Sequence, residues 1–156
     1  MNTPNKYELT SETKIVFGTK TLYRIRALIS FGTVKKGETG GFVESENNLN
    51  QSGNAWVFGD AEVYGNARVY GDARVSGDAR VFGNAEVFGD ENCKKSPIVI
   101  TGPFYTVIVG DKYVSIGCKQ YTAKKWRAFT REQIENMGGN WNDFEKLIKV
   151  LGALGL

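Results

Sequence analysis

Histidine does not occur anywhere in the 156 residues of this chain. Its absence removes the commonest general base near neutral pH and the commonest metal ligand, so acid–base or zinc chemistry would have to run on other groups. Cysteine is scarce. Cys93 and Cys118 lie far apart, without the short spacing of a zinc or redox motif, so reduced thiols in a cytosolic protein are expected. Long apolar runs are lacking as well: Ile98 to Val109 is broken by Gly102 and Pro103 and falls short of the roughly 20 residues a bilayer demands. No membrane span is expected. Met1 to Thr13 is polar and carries Lys6, Glu8 and Glu12 where a secretory leader needs an apolar stretch. What is present is enough for a core: 41% of the residues are hydrophobic and 24% charged, which suits one ordinary soluble domain or two very small ones.

From Gly53 to Phe88 the sequence reads GNAWVF, GDAEVY, GNARVY, GDARVS, GDARVF, GNAEVF. Gly and Asn/Asp are turn residues, whereas Ala-x-Val alternates with period two, as a short strand with Ala and Val facing inward does. A strand and a corner at every sixth residue make a β-solenoid. Three such edges would close a coil of about 18 residues. The variable positions support that length, because residues one coil apart stack as neighbours and like charges there repel. Glu62 then lies on Arg80, Arg68 on Glu86, and Trp56 on Arg74 as a cation–π contact.

The expected architecture is mainly β with three parts. Residues 1–40 form an N-terminal β cap, with strands at Lys14 to Phe17 and Thr21 to Leu28 and a glycine-punctuated loop after them. Residues 41–93 form the solenoid, in which Gly41 to Glu46 and Asn47 to Ser52 keep the six-residue phase with degraded consensus, and the repeat ends at Asp90-Glu91-Asn92. Residues 94–156 form a small α+β module: strands at Ile98 to Ile100, Phe104 to Val109 and Tyr113 to Ile116, then three helices. Thr122, Thr130 and Asn140 are their expected caps, with Trp141, Phe144, Leu147, Ile148 and Leu151 on one face of the last.

The hexads resemble the hexapeptide repeat of left-handed β-helix proteins, the acyltransferases and gamma-class carbonic anhydrases. Those families place Gly directly after the aliphatic residue, whereas an aromatic or Ser intervenes here, as in Val63-Tyr64-Gly65. From Tyr23-Arg24-Ile25-Arg26-Ala27-Leu28 through Gly41-Phe42-Val43-Glu44-Ser45-Glu46 into the repeats, the chain is similar to small phage and prophage hexapeptide-repeat proteins, often labelled transferases on the repeat alone. The resemblance implies a left-handed solenoid and a bacterial cytoplasmic setting. It transfers no catalytic residue, because the acyltransferases use a histidine base and the anhydrases three zinc-bound histidines. Nor does the repeated Asp and Asn at positions such as Asp60, Asp72, Asn54 and Asn66 require calcium, since these residues serve the corners themselves. No cofactor and no bound metal are expected.

Two surfaces stand out as binding candidates. The sixth hexad position, Phe58, Tyr64, Tyr70, Phe82 and Phe88 with Ser76 between them, turns away from the axis if Val faces inward. It would give outward ladders of Tyr64 on Phe82 and Tyr70 on Phe88, either an oligomer interface, with a homotrimer favoured, or a seat for the flanking units. The second surface is basic. Residues 53–93 carry three basic and seven acidic side chains, residues 94–156 ten and five. There Lys112, Lys119, Lys124, Lys125, Arg127 and Arg131 lie near Tyr113, Tyr121 and Trp126, a mix suited to phosphate contact plus base stacking, although a solvated helix face over core aromatics is the favoured reading.

These features predict a non-catalytic binding and oligomeric scaffold. In the phage setting that the resemblance implies, it would sequester a host defence protein or a nucleotide signal. Nucleic acid is a less favoured partner. A structural virion or filament protein is the alternative, and an acyltransferase-like enzyme without its histidine the third reading.

Overall fold

The computed structural model of the chain describes residues 4–101 and 105–156. Its first strands, β1 (Tyr7–Val16) and β2 (Lys20–Ala27), pair antiparallel, and β2 pairs antiparallel with β3 (Thr39–Val43). β1 thus starts well before Lys14. The polar stretch is a strand because its charges alternate with Tyr7 and Leu9 and find partners across the ladder: Glu8 pairs with Arg26, and Glu12 with Arg24 at 2.8 Å.

Seven two-residue strands follow at six-residue intervals: β4 (Trp56–Val57), β5 (Glu62–Val63), β6 (Arg68–Val69), β7 (Arg74–Val75), β8 (Arg80–Val81), β9 (Glu86–Val87) and β10 (Asn92–Cys93). Each pairs in parallel with the third strand along: β4 with β7 and β7 with β10, β5 with β8, β6 with β9. Inward valines and alanines, Ala55 to Val87, form one continuous buried column set that Cys93 extends. The corner glycines from Gly53 to Gly89 all take φ between +59° and +74°, a conformation that a Cβ resists, which is why the repeat cannot spare them. The hexad Gly89-Asp90-Glu91-Asn92-Cys93-Lys94 therefore belongs to the repeat, with Glu91 in the alanine slot and Cys93 in the valine slot.

The upstream phase differs from expectation. Val43 pairs with Val63 and Leu49 bridges Val69, each 20 residues apart, whereas Val57 and Val75 are 18 apart. Asn50 still donates to the Val69 carbonyl and Asn54 already donates to Gly71, so the two extra residues fall within Gln51–Gly53. They are used: Gln51 Oε1 accepts from the backbone N–H of Lys6 at 2.8 Å and ties the first strand to the coil.

The C-terminal module is an antiparallel four-stranded sheet, β11 (Ile98–Thr101), β12 (Thr106–Val109), β13 (Val114–Ile116) and β14 (Lys119–Tyr121), with three helices. Phe104, expected in the second strand, lies outside the described residues. β14 was concealed in the sequence by its three-residue length. α1 (Ala123–Arg127), α2 (Arg131–Asn136) and α3 (Trp141–Ala153) start at their expected caps: Thr122 accepts from Lys125 N, Thr130 and Gln133 form a reciprocal capping box, and Asn140 accepts from Asp143 N. Phe144 and Leu151 are buried with Trp126 and Ile134, and Trp141, Leu147 and Ile148 pack around them. Among the described residues no helix is long and apolar enough to cross a membrane.

Candidate functional site

The aromatic ladders form, with different surroundings. Tyr64 stacks on Phe82 at 5.5 Å with ring planes 7° apart, and Tyr70 on Phe88 at 5.3 Å and 8°. Tyr64 is not an outward surface residue: it is 4% exposed, packed with Val16, Leu22 and Phe42 under the N-terminal hairpin. Phe82, at 49%, keeps its far face in solvent, and Tyr70 and Phe88 are each half-buried. Phe58 also packs against the core, with the Arg74 guanidinium 5.9 Å over its ring. The Tyr70 hydroxyl donates to Glu86 at 3.1 Å, and burial together with that carboxylate pushes its phenol up to about 12. Glu86 thereby serves Tyr70 while lying in register with Arg68.

The hairpin explains a second departure. Trp56 occupies an outward position but is 0% exposed, edge-on to Tyr7 at 6.1 Å and Phe31 at 5.3 Å. The expected contact with Arg74 does not form, because aromatic packing under the hairpin outbids an exposed cation–π pair. The expected Glu62–Arg80 pair does form, at 3.2 Å, with Lys14 completing the shell around the buried Glu62.

At the corners the Asn and Asp side chains bond one another. Asn54 Nδ2 donates to Asp72 Oδ1 at 2.8 Å, and Asn66 Nδ2 to Asn84 Oδ1 at 3.1 Å. Asp60 instead takes the Arg24 guanidinium at 3.1 Å. Among the described residues no group of three or more Cys, Asp or Glu is placed to hold a metal ion.

In the C-terminal module the structure separates the nine expected residues into three groups. Trp126 and Tyr121 are not stacking platforms: Trp126 is buried, its indole N–H donating to the Val114 carbonyl at 2.7 Å, and Tyr121 sits edge-on against it at 5.1 Å and against Phe129 at 5.1 Å. Aromatics with this much apolar surface are drawn into the small core before they can serve a ligand. Lys112 and Arg131 are engaged locally. Lys112 bonds Asp90, which raises its pKa, and lies 4.6 Å over the half-buried Tyr113 ring, while Arg131 pairs with Glu135 at 2.7 Å. Lys119, Lys124, Lys125 and Arg127 remain exposed, with no carboxylate partner among the described residues, at the end of β14 and on α1.

Glu91, which the pattern did not single out, joins the two regions. It is 3% exposed; Oε1 accepts from the N–H of Lys112 at 3.0 Å, and Oε2 from that of Tyr113 at 2.8 Å. Gln120 Nε2 donates to the Phe88 carbonyl at 3.0 Å beside it. A carboxylate in a slot otherwise filled by alanine was the available signal.

The YdcK beta solenoid repeat model matches the chain twice, at residues 61–77 and 73–89. Both windows open on an inward alanine and close on a corner glycine. The chain therefore carries a β-solenoid repeat similar to that family's. No curated protein matches the chain.

Proposed function

We propose that this chain is a non-catalytic binding protein built on an oligomeric scaffold. Its solenoid is read as the left-handed, three-edged form with about 18 residues per coil, closed by the N-terminal hairpin and by the C-terminal α+β module. The observation that carries the reading is the stacked, half-buried pair Tyr70–Phe88, an aromatic strip on the outside of a rigid repeat. Such a strip favours a closed assembly with a second and third copy. The packing at both solenoid ends, by Lys6 and Glu91, favours a closed trimer over a filament that grows end to end. The exposed Lys119, Lys124, Lys125 and Arg127 then supply a positive face for an acidic protein or a nucleotide. In the phage setting the resemblance suggests, the role is an accessory one in the bacterial cytoplasm, sequestering a host defence protein or nucleotide signal.

Size-exclusion chromatography with light scattering tests the assembly. A mass three times the chain's 17.3 kDa is expected, with Tyr70→Ser, Phe88→Ser reverting it to a folded monomer. Open-ended polymers, or a mass unchanged by the double substitution, would overturn the proposal.

A further inference from the structure

A groove of about 920 Å³ opens where the chain departs from the repeat, between the short 3₁₀ turn Glu46–Asn48 and the corner and strand at Gly65–Tyr70. That volume lies in the range of small-ligand sites, roughly 300–1,000 Å³. One wall is fixed by Asn48, 1% exposed, whose Nδ2 donates to the Gly65 carbonyl at 3.0 Å and the Ala67 carbonyl at 2.8 Å, while its Oδ1 accepts from Ser45 N at 2.9 Å. The other rim is held by Glu44, which takes Lys20 Nζ at 2.7 Å and Gly65 N at 2.6 Å; the Lys20 bond keeps this carboxyl below its ordinary pKa.

The lining selects a ligand class by what it offers. The lining holds two cations, Lys20 and Arg68, and two carboxylates, Glu44 and Glu46, so the groove has no net charge to attract a polyphosphate or nucleic acid. Its apolar residues, Ala67 and Val69, are buried in the solenoid core, which leaves no pocket for an apolar peptide side chain or an acyl chain. What faces the space is amide and guanidinium: exposed Asn47, Asn50 and Asn66, and Arg68, which has no carboxylate within ion-pair distance among the described residues. Donor–acceptor groups on a rigid wall match vicinal hydroxyls. We propose that this groove binds a neutral oligosaccharide. The site is separate from the basic module and stands whether or not that module has a partner.

The test is an NMR titration of the isotope-labelled full chain with maltohexaose, cellohexaose and chitohexaose, and with a heparin hexasaccharide as the anionic comparator. At least one neutral hexasaccharide is expected to give saturable shifts at Asn47, Asn50 and Asn66, with a Kd of about 0.1–1 mM, the range of a shallow polar site. Arg68→Ala and Asn47→Ala, both at exposed positions, should each weaken that binding roughly fivefold or more without changing the melting temperature. Lys124→Glu should leave it unchanged. Absence of shifts from all three neutral sugars, saturable shifts centred elsewhere, binding of the heparin fragment alone, or full affinity in both variants would each overturn the proposal.

Discussion

Lys6 and Glu91 stand at opposite ends of one inner column of the solenoid, Ala55 and Ala73 lying between them at the same coil position. Lys6 Nζ donates to the Ala55 carbonyl at 2.9 Å, with the Ser52 and Gly53 carbonyls at 3.5 Å; Glu91 replaces the next alanine and accepts two N–H groups from the β12–β13 turn. A stack of parallel strands ends in unpaired polar groups that need partners. Here a buried charge supplies them at each end, matched in sign to the carbonyls above and the amides below.

Lys6 makes stability depend on pH in the alkaline range. Burial lowers its ammonium to about 8. Above that value the unfolded chain binds the extra proton, so stability rises with pH until the unfolded lysine also titrates, near 10.5. Cys93 acts in the opposite sense: burial pushes its thiol up to about 12, so stability falls as pH rises past the ordinary thiol value of 9.0. Chemical denaturation should therefore show a net gain of roughly 0.6 kcal/mol between pH 8 and 9. Lys6→Met should remove the gain and leave the slight fall from Cys93; an equal slope in the variant would place its origin elsewhere.

Glu91→Ala restores the repeat consensus and is nonetheless expected to destabilise. It leaves the amides of Lys112 and Tyr113 without their acceptor, at a cost of about 1–3 kcal/mol for two part-buried donors. The loss should appear at the junction first. Cys118 is exposed and Cys93 buried, so a thiol reagent should modify one cysteine rapidly in the native chain and two in the variant. A variant that still protects Cys93 would show that the module is docked by other contacts.

The solenoid was legible because glycine corners and inward Ala-x-Val report on local geometry at every sixth residue. Cap residues Thr122, Thr130 and Asn140 were legible for the same reason, each acting within three residues of itself. Long-range coverage was not. Tyr64 and Trp56 sit at outward positions by alternation, and only the fold of the hairpin over them makes them core. The two-residue slip at Gln51–Gly53 was hidden because the six-residue count continues through it while the inward residue moves from the fifth place, as in Val57, to the third, as in Leu49. The sequence left Trp126 open between core and surface by the same limit: a helix of five residues does not declare which side faces its sheet.

Tyr64→Ser should act on folding rather than on assembly. The ring is enclosed by Val16, Leu22 and Phe42, with Phe17 edge-on at 6.0 Å, so truncation leaves a cavity under the hairpin. A loss of about 3–4 kcal/mol is expected from removal of a buried aromatic. Phe82→Ser, on the exposed half of the same stack, should cost less than 1 kcal/mol, as substitutions at exposed positions do. Thermal denaturation of the two single variants separates them. Equal losses would mean that Phe82 is also covered, which only a partner copy could do.

The exposed cations of the C-terminal module give the sharpest division between fold and function. Lys124 and Arg127 lie on solvent-facing positions of α1, and among the described residues neither has a carboxylate partner. Lys124→Glu, Arg127→Glu should therefore leave the melting temperature within about 2 °C, since surface charges away from packed features contribute within roughly 0.5 kcal/mol. Binding of an acidic ligand should respond far more strongly, because two reversed charges change the local field by four units. Affinity for a dinucleotide or an acidic peptide, measured by calorimetry at low and at physiological salt, should fall at least tenfold in the variant, with the difference shrinking as salt screens the surface. A variant that binds as the native chain does at both salt concentrations would remove this face from the recognition surface and leave the aromatic strip and the groove to carry it.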